Sequence, residues 1–371
     1  VGADRCWLMD GDAFNLVLWL IALALLSYLS QEMQILRAIG EIETYIAFLR
    51  TVRDKAIGVL ASQFRRYDGG SGGVGDQLER RLSSLVETYF IFPVDLDPFG
   101  VVRKIKHVLR TGEERIRREV SLLARDASPA EVQNLASLVE VARELNMIYK
   151  VVNHYYLIAR KFRSLWLILQ LSAQMPFVLE EVRAVEGALE SFSRGLPIGD
   201  SAGPLVASLL VRRYGGTYSE PVKDTLVARL NVENRSVYVV RAKGPGGTTG
   251  RLEEAVAWVL SRERASLLIS VDAALKYEGE ESGLVAHGFG IAMGGVGAER
   301  FEIEEMATRY GMPAYAVLIK MSEAEALSTM TEKVYRGALQ SADIITDIIR
   351  QQPEKSTIIV LGVGNTLGVP P

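Results

Sequence analysis

Cysteine and histidine are nearly absent from this 371-residue chain. Cys6 is the only cysteine, so no internal disulfide can form, which fits a reducing compartment. With one cysteine and three histidines, a zinc-finger type of cluster is excluded. Charge of one sign is also lacking. The formal net charge is only −3, whereas nucleic-acid-binding domains carry a strong basic excess, so no nucleic-acid partner is expected. No Gly-Lys-Ser/Thr follows the glycine-rich stretches, so a Walker phosphate loop is excluded as well.

What the chain does have is a long uncharged run, AFNLVLWLIALALLSYL, at 13–29, interrupted only by Asn15 and Ser27. It accounts for the positive mean hydropathy. A bilayer core needs about 20 helical residues, and the run approaches that length once Ser30 and Gln31 extend it. LSYLSQEM offers no small-x-small cleavage site, which speaks against a signal peptide; a buried helix is the other structural alternative. The expectation is a single-pass anchor in the cell membrane through residues 13–30. Arg37, Arg50, Arg53 and Lys55 follow it and only Arg5 precedes it, which places the bulk of the chain in the cytoplasm.

The length suggests more than one domain, and the texture of the chain supplies boundaries. After an anchor at 1–31, residues 32–195 read as an all-helical domain. Ile35, Ile39, Ile42, Ile46, Leu49 and Val52 recur at helical spacing, and a homo-oligomer through this helix is open. YDGGSGGVGD (67–76) reads as a linker, IFPVDLDPFG (91–100) as a proline-punctuated break, and Ser128-Pro129 as a helix start. The stretch 146–177 reads as one central helix, with His154 in its core or rim. From 196 to 371 strands and helices alternate. A hairpin around ENR (233–235) is followed by a helix 251–264, a strand ASLLISVDA, a helix 299–310, a strand PAYAVLIKM, a helix 323–351 and a final strand STIIVLGV. That order predicts an α/β domain with a mostly parallel sheet flanked by helices. Ligands bind beyond the carboxyl ends of such strands.

Four stretches stand out: GLPIGDSAGPL with Asp200 at a helix start, KGPGGTTGRLEEAV joining a strand to a helix, LLISVDAAL with Asp272 at a strand end, and GFGIAMGGVGAERFE, a glycine-rich turn before a helix, with Glu299 and Arg300. Each has a structural alternative, since aspartate is a favoured helix cap and glycines serve tight turns. In serial order the stretches resemble the spore germination proteases, whose α/β fold is shared with hydrogenase maturation proteases. The resemblance covers about residues 196–320. In that fold a first strand ending in Gly-x-Gly-Asn precedes the aspartate loop. Here that strand appears last, as IIVLGVGNTLG, so the resemblance implies a circularly permuted, phosphorylase/hydrolase-like domain. The last strand is then expected at the sheet centre, with Gly364 and Asn365 beside Asp200. The whole chain also resembles an uncharacterised archaeal membrane-anchored family.

The resemblance implies a hydrolase, a peptidase using Asp200 and Asp272 as the catalytic pair, with no cofactor. Should a divalent metal be held, as in the maturation proteases, Asp200, Asp272 and His287 are the candidates. Gly246, Gly247, Thr249, Arg251, Gly295, Arg300, Gly364 and Asn365 are the expected ligand-binding residues, for a peptide or an anionic small molecule. Lys243, Arg251, Arg300 and Lys320 near the strand ends leave a second reading open, a non-catalytic sensor of an anionic ligand. A membrane-tethered scaffold is the third.

Overall fold

The computed structural model describes residues 11–67, 75–93, 100–295 and 297–371. Most of the linker expected at 67–76 and of the break expected at 91–100 lies outside them, as do Arg5 and Cys6. The elements in chain order are α1 (Gly11–Arg65), α2 (Gly75–Val86), α3 (Val101–Leu123), α4 (Pro129–Lys161), α5 (Leu165–Arg194) and α6 (Ala202–Tyr214), then β1 (Tyr218–Val222), β2 (Thr225–Val232) and β3 (Arg235–Ala242). They continue with α7 (Leu252–Leu260), β4 (Leu267–Leu275), β5 (Val285–Phe289), α8 (Ala298–Arg309), β6 (Ala314–Met321), α9 (Glu323–Leu327), α10 (Glu332–Arg350) and β7 (Thr357–Gly362). The chain forms two compact units. One comprises the segment through Thr51 together with Ile148–Leu179, and the other Val52–Met147 together with Glu180–Pro371.

The first unit is helical. Ala38 and Ile42 of α1 pack with Tyr156 and Ala159 of α4 and Ile168 of α5, and the Tyr156 hydroxyl donates to Glu43. The continuous helix expected over 146–177 is broken. Arg163 takes a left-handed conformation at φ 46, and the Ser164 hydroxyl accepts from the Leu167 amide, which starts α5 afresh. His154 is exposed rather than part of the core. One helix among the described residues, α1, is long and apolar enough to cross a membrane, and none of its apolar window is buried.

The second unit is built on a seven-stranded sheet in the order β1-β2-β3-β7-β4-β6-β5. The four central strands are parallel, while β1, β2 and β5 add antiparallel edges. The sheet is therefore mixed. Neither β1 nor β5 was expected from the sequence, because YSEPV is polar and broken by Pro221, and VAHGF sits in a glycine-rich stretch. The β2–β3 hairpin turns on Glu233 and Asn234 at φ 47 and 64, the positive pair that a two-residue turn of this hand requires. The helix expected at 323–351 is two, because Ser322 caps α9 and Thr331 caps α10 separately.

Every residue of β7 is buried, as a strand covered on both faces must be. Ile358 and Val360 face the core beneath α6 and α10, and Ile359 and Leu361 face the core beneath α7 and α8. Between these layers, α6 approaches the sheet closely. A Cβ on Gly203 would lie 2.0 Å from the Val363 carbonyl oxygen, so only glycine allows this contact. Downstream of β7 the chain is clasped by Arg241, a buried guanidinium that donates to the carbonyls of Val369 at 2.8 Å and Pro370 at 3.0 Å.

Candidate functional site

Pairing sets Gly362 of β7 opposite Arg241 of β3 and Val271 of β4, so β3 and β7 end within a residue of each other while β4 runs on to Leu275. The next residues along two of them, Asp272 and Val363-Gly364, open onto a cleft of about 420 Å³. Asp200 reaches the same cleft from the short 3-10 turn Gly199–Ser201 that leads into α6.

Neither aspartate is a helix cap. The turn at Gly199 and the start of α6 both lack a side-chain cap, and Asp272 lies within β4. Asp200 Oδ2 instead accepts the Asn365 amide at 2.8 Å. Asp272 is 5 % exposed. Its Oδ1 accepts the Ala273 amide at 2.8 Å and its Oδ2 the Gly294 amide at 2.9 Å, so both oxygens are fixed by backbone. Burial pushes its carboxyl up to about 7, and the neighbouring Asp200 charge adds to the rise against the two amides. Burial also raises Asp200, opposed by the Asn365 amide. The Asp200 charge is felt at Asp272, so the titration of the two is coupled.

The other expected site residues divide into three groups. Gly295, Arg300 and Gly364 line the aspartate cleft. Thr249 lies between it and an adjoining polar pocket of about 170 Å³, which Gly247, Arg251 and Asn365 also line. Gly246 lines neither, because it is pressed against Gln133 of α4. Arg251 is held by Glu114 at 2.9 Å and Arg300 by Glu304 at 2.8 Å.

Three expectations require correction. His287 sits on the edge strand β5, bonded through Nδ1 to the Tyr315 hydroxyl at 2.7 Å, and does not line the aspartate cleft. Lys243 is paired with Glu220, and Lys320 donates to the Leu275 carbonyl at 3.3 Å, so both are engaged away from the cleft. Among the described residues no group of three or more His, Cys, Asp or Glu side chains is arranged to hold a metal ion.

The sequence also left unassigned the wall opposite the strands. α3 packs against α8 and brings Lys106, Arg110 and Glu113 to the cleft, facing Glu299 in the first turn of α8. Burial, then the charge of Glu253, raises the Glu299 carboxyl to about 7. Glu253 is 1 % exposed and pairs with Arg110 and with Lys106 at 3.0 Å. The available signal was the helical spacing of Lys106, Arg110 and Arg117, which is indistinguishable from a solvated face until its partners are placed.

The chain matches two family models in succession. Residues 16–195 match the model described as "Protein of unknown function (DUF1512) N-terminal domain". Residues 198–370 match the one described as "Domain of unknown function (DUF1512) C-terminal". No curated protein matches the chain. Covered by both models in order, the chain belongs to the DUF1512 family.

Proposed function

We propose that the cleft is a hydrolytic site and that Asp200 and Asp272 are its acid–base pair, acting on a peptide or similar carbonyl substrate. The observation that carries this reading is that both carboxyls line one cleft and both are raised, Asp272 in part by the charge of Asp200. With one proton shared between them near neutrality, the ionised member takes a proton from water as its oxygen attacks the carbonyl carbon. The protonated member donates its proton to the departing nitrogen, which leaves as an amine while the carbonyl carbon keeps the new oxygen. The germination-protease resemblance agrees with this reading. The central place of β7 in the sheet and the Asn365 amide on Asp200 support the permuted arrangement that the resemblance implies.

The sensor of an anionic ligand is the weaker alternative, because the cations around the cleft are already neutralised by Glu253, Glu254, Glu302 and Glu304. We further propose that residues 13–30 of α1 anchor the protein in the cell membrane with the bulk of the chain cytoplasmic, supported by the length and full exposure of the apolar window.

The test is turnover of a fluorogenic peptide library by the full chain in detergent, compared with Asp200→Asn and Asp272→Asn. Each variant should lose about 10²-fold or more in rate while still unfolding in one cooperative transition. Turnover that persists in either variant would overturn the paired-aspartate site.

A further inference from the structure

The α4–α5 turn has a composition unlike any other helix junction in the chain. Between Glu144 and Glu180 there is no aspartate or glutamate, while Lys150, Arg160, Lys161 and Arg163 fall inside that interval. At the turn itself the large apolar side chains face outward. Phe162 and Trp166 are each 68 % exposed, and Leu169 beside them is also exposed. Aromatic side chains interleaved with cations are the composition of a protein surface that meets lipid headgroups.

The packing of the first unit fixes where this turn lies along α1. Residues 14–31 are exposed without exception, and cover by neighbouring side chains begins at Glu32 and Ile35. The legs of the α4–α5 hairpin pack on Ala38, Ile39, Ile42 and Ile46. Because nothing before Glu32 is covered, the legs run along α1 away from the apolar segment, and the turn is the end nearest to it. Ser172 contacts Glu41. Leu165, seven residues earlier on α5, is therefore about 10 Å closer to the apolar segment, level with Gln34. That is roughly 5 Å beyond residue 31, and the headgroup layer outside a hydrocarbon core of about 30 Å is of the same depth.

We infer that the Phe162–Trp166 turn is a second membrane contact, seated in the headgroup layer of an anionic phospholipid bilayer, with Phe162 and Trp166 entering the interface and Lys161 and Arg163 meeting lipid phosphates. This rests on the reading of α1 as a membrane span. The contact would fix the rotation of the cytoplasmic part about the anchor, which a single helix cannot do. Anionic lipid is the partner because the turn itself carries Lys161 and Arg163 with no acid in its own sequence, whereas Arg160 is taken up by Glu43 of α1.

The test uses the full chain carrying Cys6→Ser, with a nitroxide attached at Phe162→Cys, Leu18→Cys or Ser261→Cys, in vesicles of phosphatidylcholine with or without phosphatidylglycerol. Collision with oxygen and with a water-soluble nickel chelate reports immersion. The label at 18 should be immersed in both vesicles and the label at 261 aqueous in both. The label at 162 should be shielded from nickel only where phosphatidylglycerol is present. Combining Lys161→Glu and Arg163→Glu should abolish that shielding and leave position 18 unchanged. A label at 162 as accessible as that at 261, with 18 immersed, overturns the contact while the span stands. Shielding indifferent to lipid charge overturns the choice of anionic lipid. A label at 18 that is aqueous overturns the span and the contact together.

Discussion

Asp272 keeps its proton into a pH range where an unfolded aspartate has lost it. Its folded value is about 7 against 3.8 in the free side chain. Between those two values the native state binds more protons than the unfolded chain, so stability falls as pH rises from 3.8 towards 7 and levels off above it. The whole span amounts to about 4 kcal/mol. Urea unfolding at pH 4 and pH 8 should show this decline in the parent protein and a flatter profile in Asp272→Asn. The rate of hydrolysis should fall over the upper part of the same window, as the pair gives up its shared proton. Glycine offers a separate test at this scale. Gly364 has φ +122, and a Cβ there would lie 2.1 Å from the Asp200 carbonyl oxygen, a backbone atom that cannot step aside. Gly295 has φ +84 but open space around it. Thermal or urea unfolding should therefore show Gly364→Ala losing about 3 kcal/mol or more, and Gly295→Ala only about 1 kcal/mol. The strand-end rule led from sequence to Asp272 and Gly364, because strand termini are legible from burial runs, whereas Asp200 was reached from a helix start and the family resemblance. The same rule led to Lys243 and Lys320, and the resemblance to His287. Their engagement with Glu220, the Leu275 carbonyl and Tyr315 depends on edge strands that the sequence does not announce.

Among the elements, α3 is the one whose role was hidden. VVRKIKHVLRTGEERIRREVSLL reads as an amphipathic helix with a charged outer face. In the structure part of that face is an internal wall of the site, because Lys106 and Arg110 meet Glu253 on α7 and Glu302 on α8. Pairs between elements so distant in sequence leave no local pattern. The prediction for this clasp follows from the burial of Glu253. Arg110→Met removes the partner of a carboxylate that cannot reach water, leaving only Lys106 beside it. A loss of about 2–4 kcal/mol is expected, measured by urea unfolding, with Glu253→Gln in the same background recovering part of it. The hairpin of β2 and β3 shows the opposite case. Its two strands and turn were legible because apolar, β-branched runs flanking a short polar turn are local properties. The fusion of α9 with α10, and of α4 with α5, failed for a third reason. Caps formed by Ser322, Thr331 and Ser164 are single residues within otherwise continuous helical periodicity.

Across the whole molecule, the division into a helical region and an α/β region was legible from the change of period near residue 196, and the two family models meet at residues 195–198. The compact units of the structure follow a different line, because Val52–Met147 belongs with the sheet and not with the first stretch of α1. Hydrophobic period reports which segments are helices, and carries no information on which helix a charged face will meet. The central position of β7 bears on how the molecule is made. β3 and β4 never touch as neighbours, since β7 lies between them. During synthesis one antiparallel trio, β1 to β3, leaves the ribosome first, and the group of β4 to β6 follows. Neither can complete the sheet until β7 has emerged. At ordinary elongation rates, roughly 6–24 s separate β3 from β7. Between the completion of β6 and the arrival of β7, the inner edges of both strand groups lack their partner. Asp200 meanwhile lacks the amide that orients it, so the site is assembled only when β7 joins the sheet.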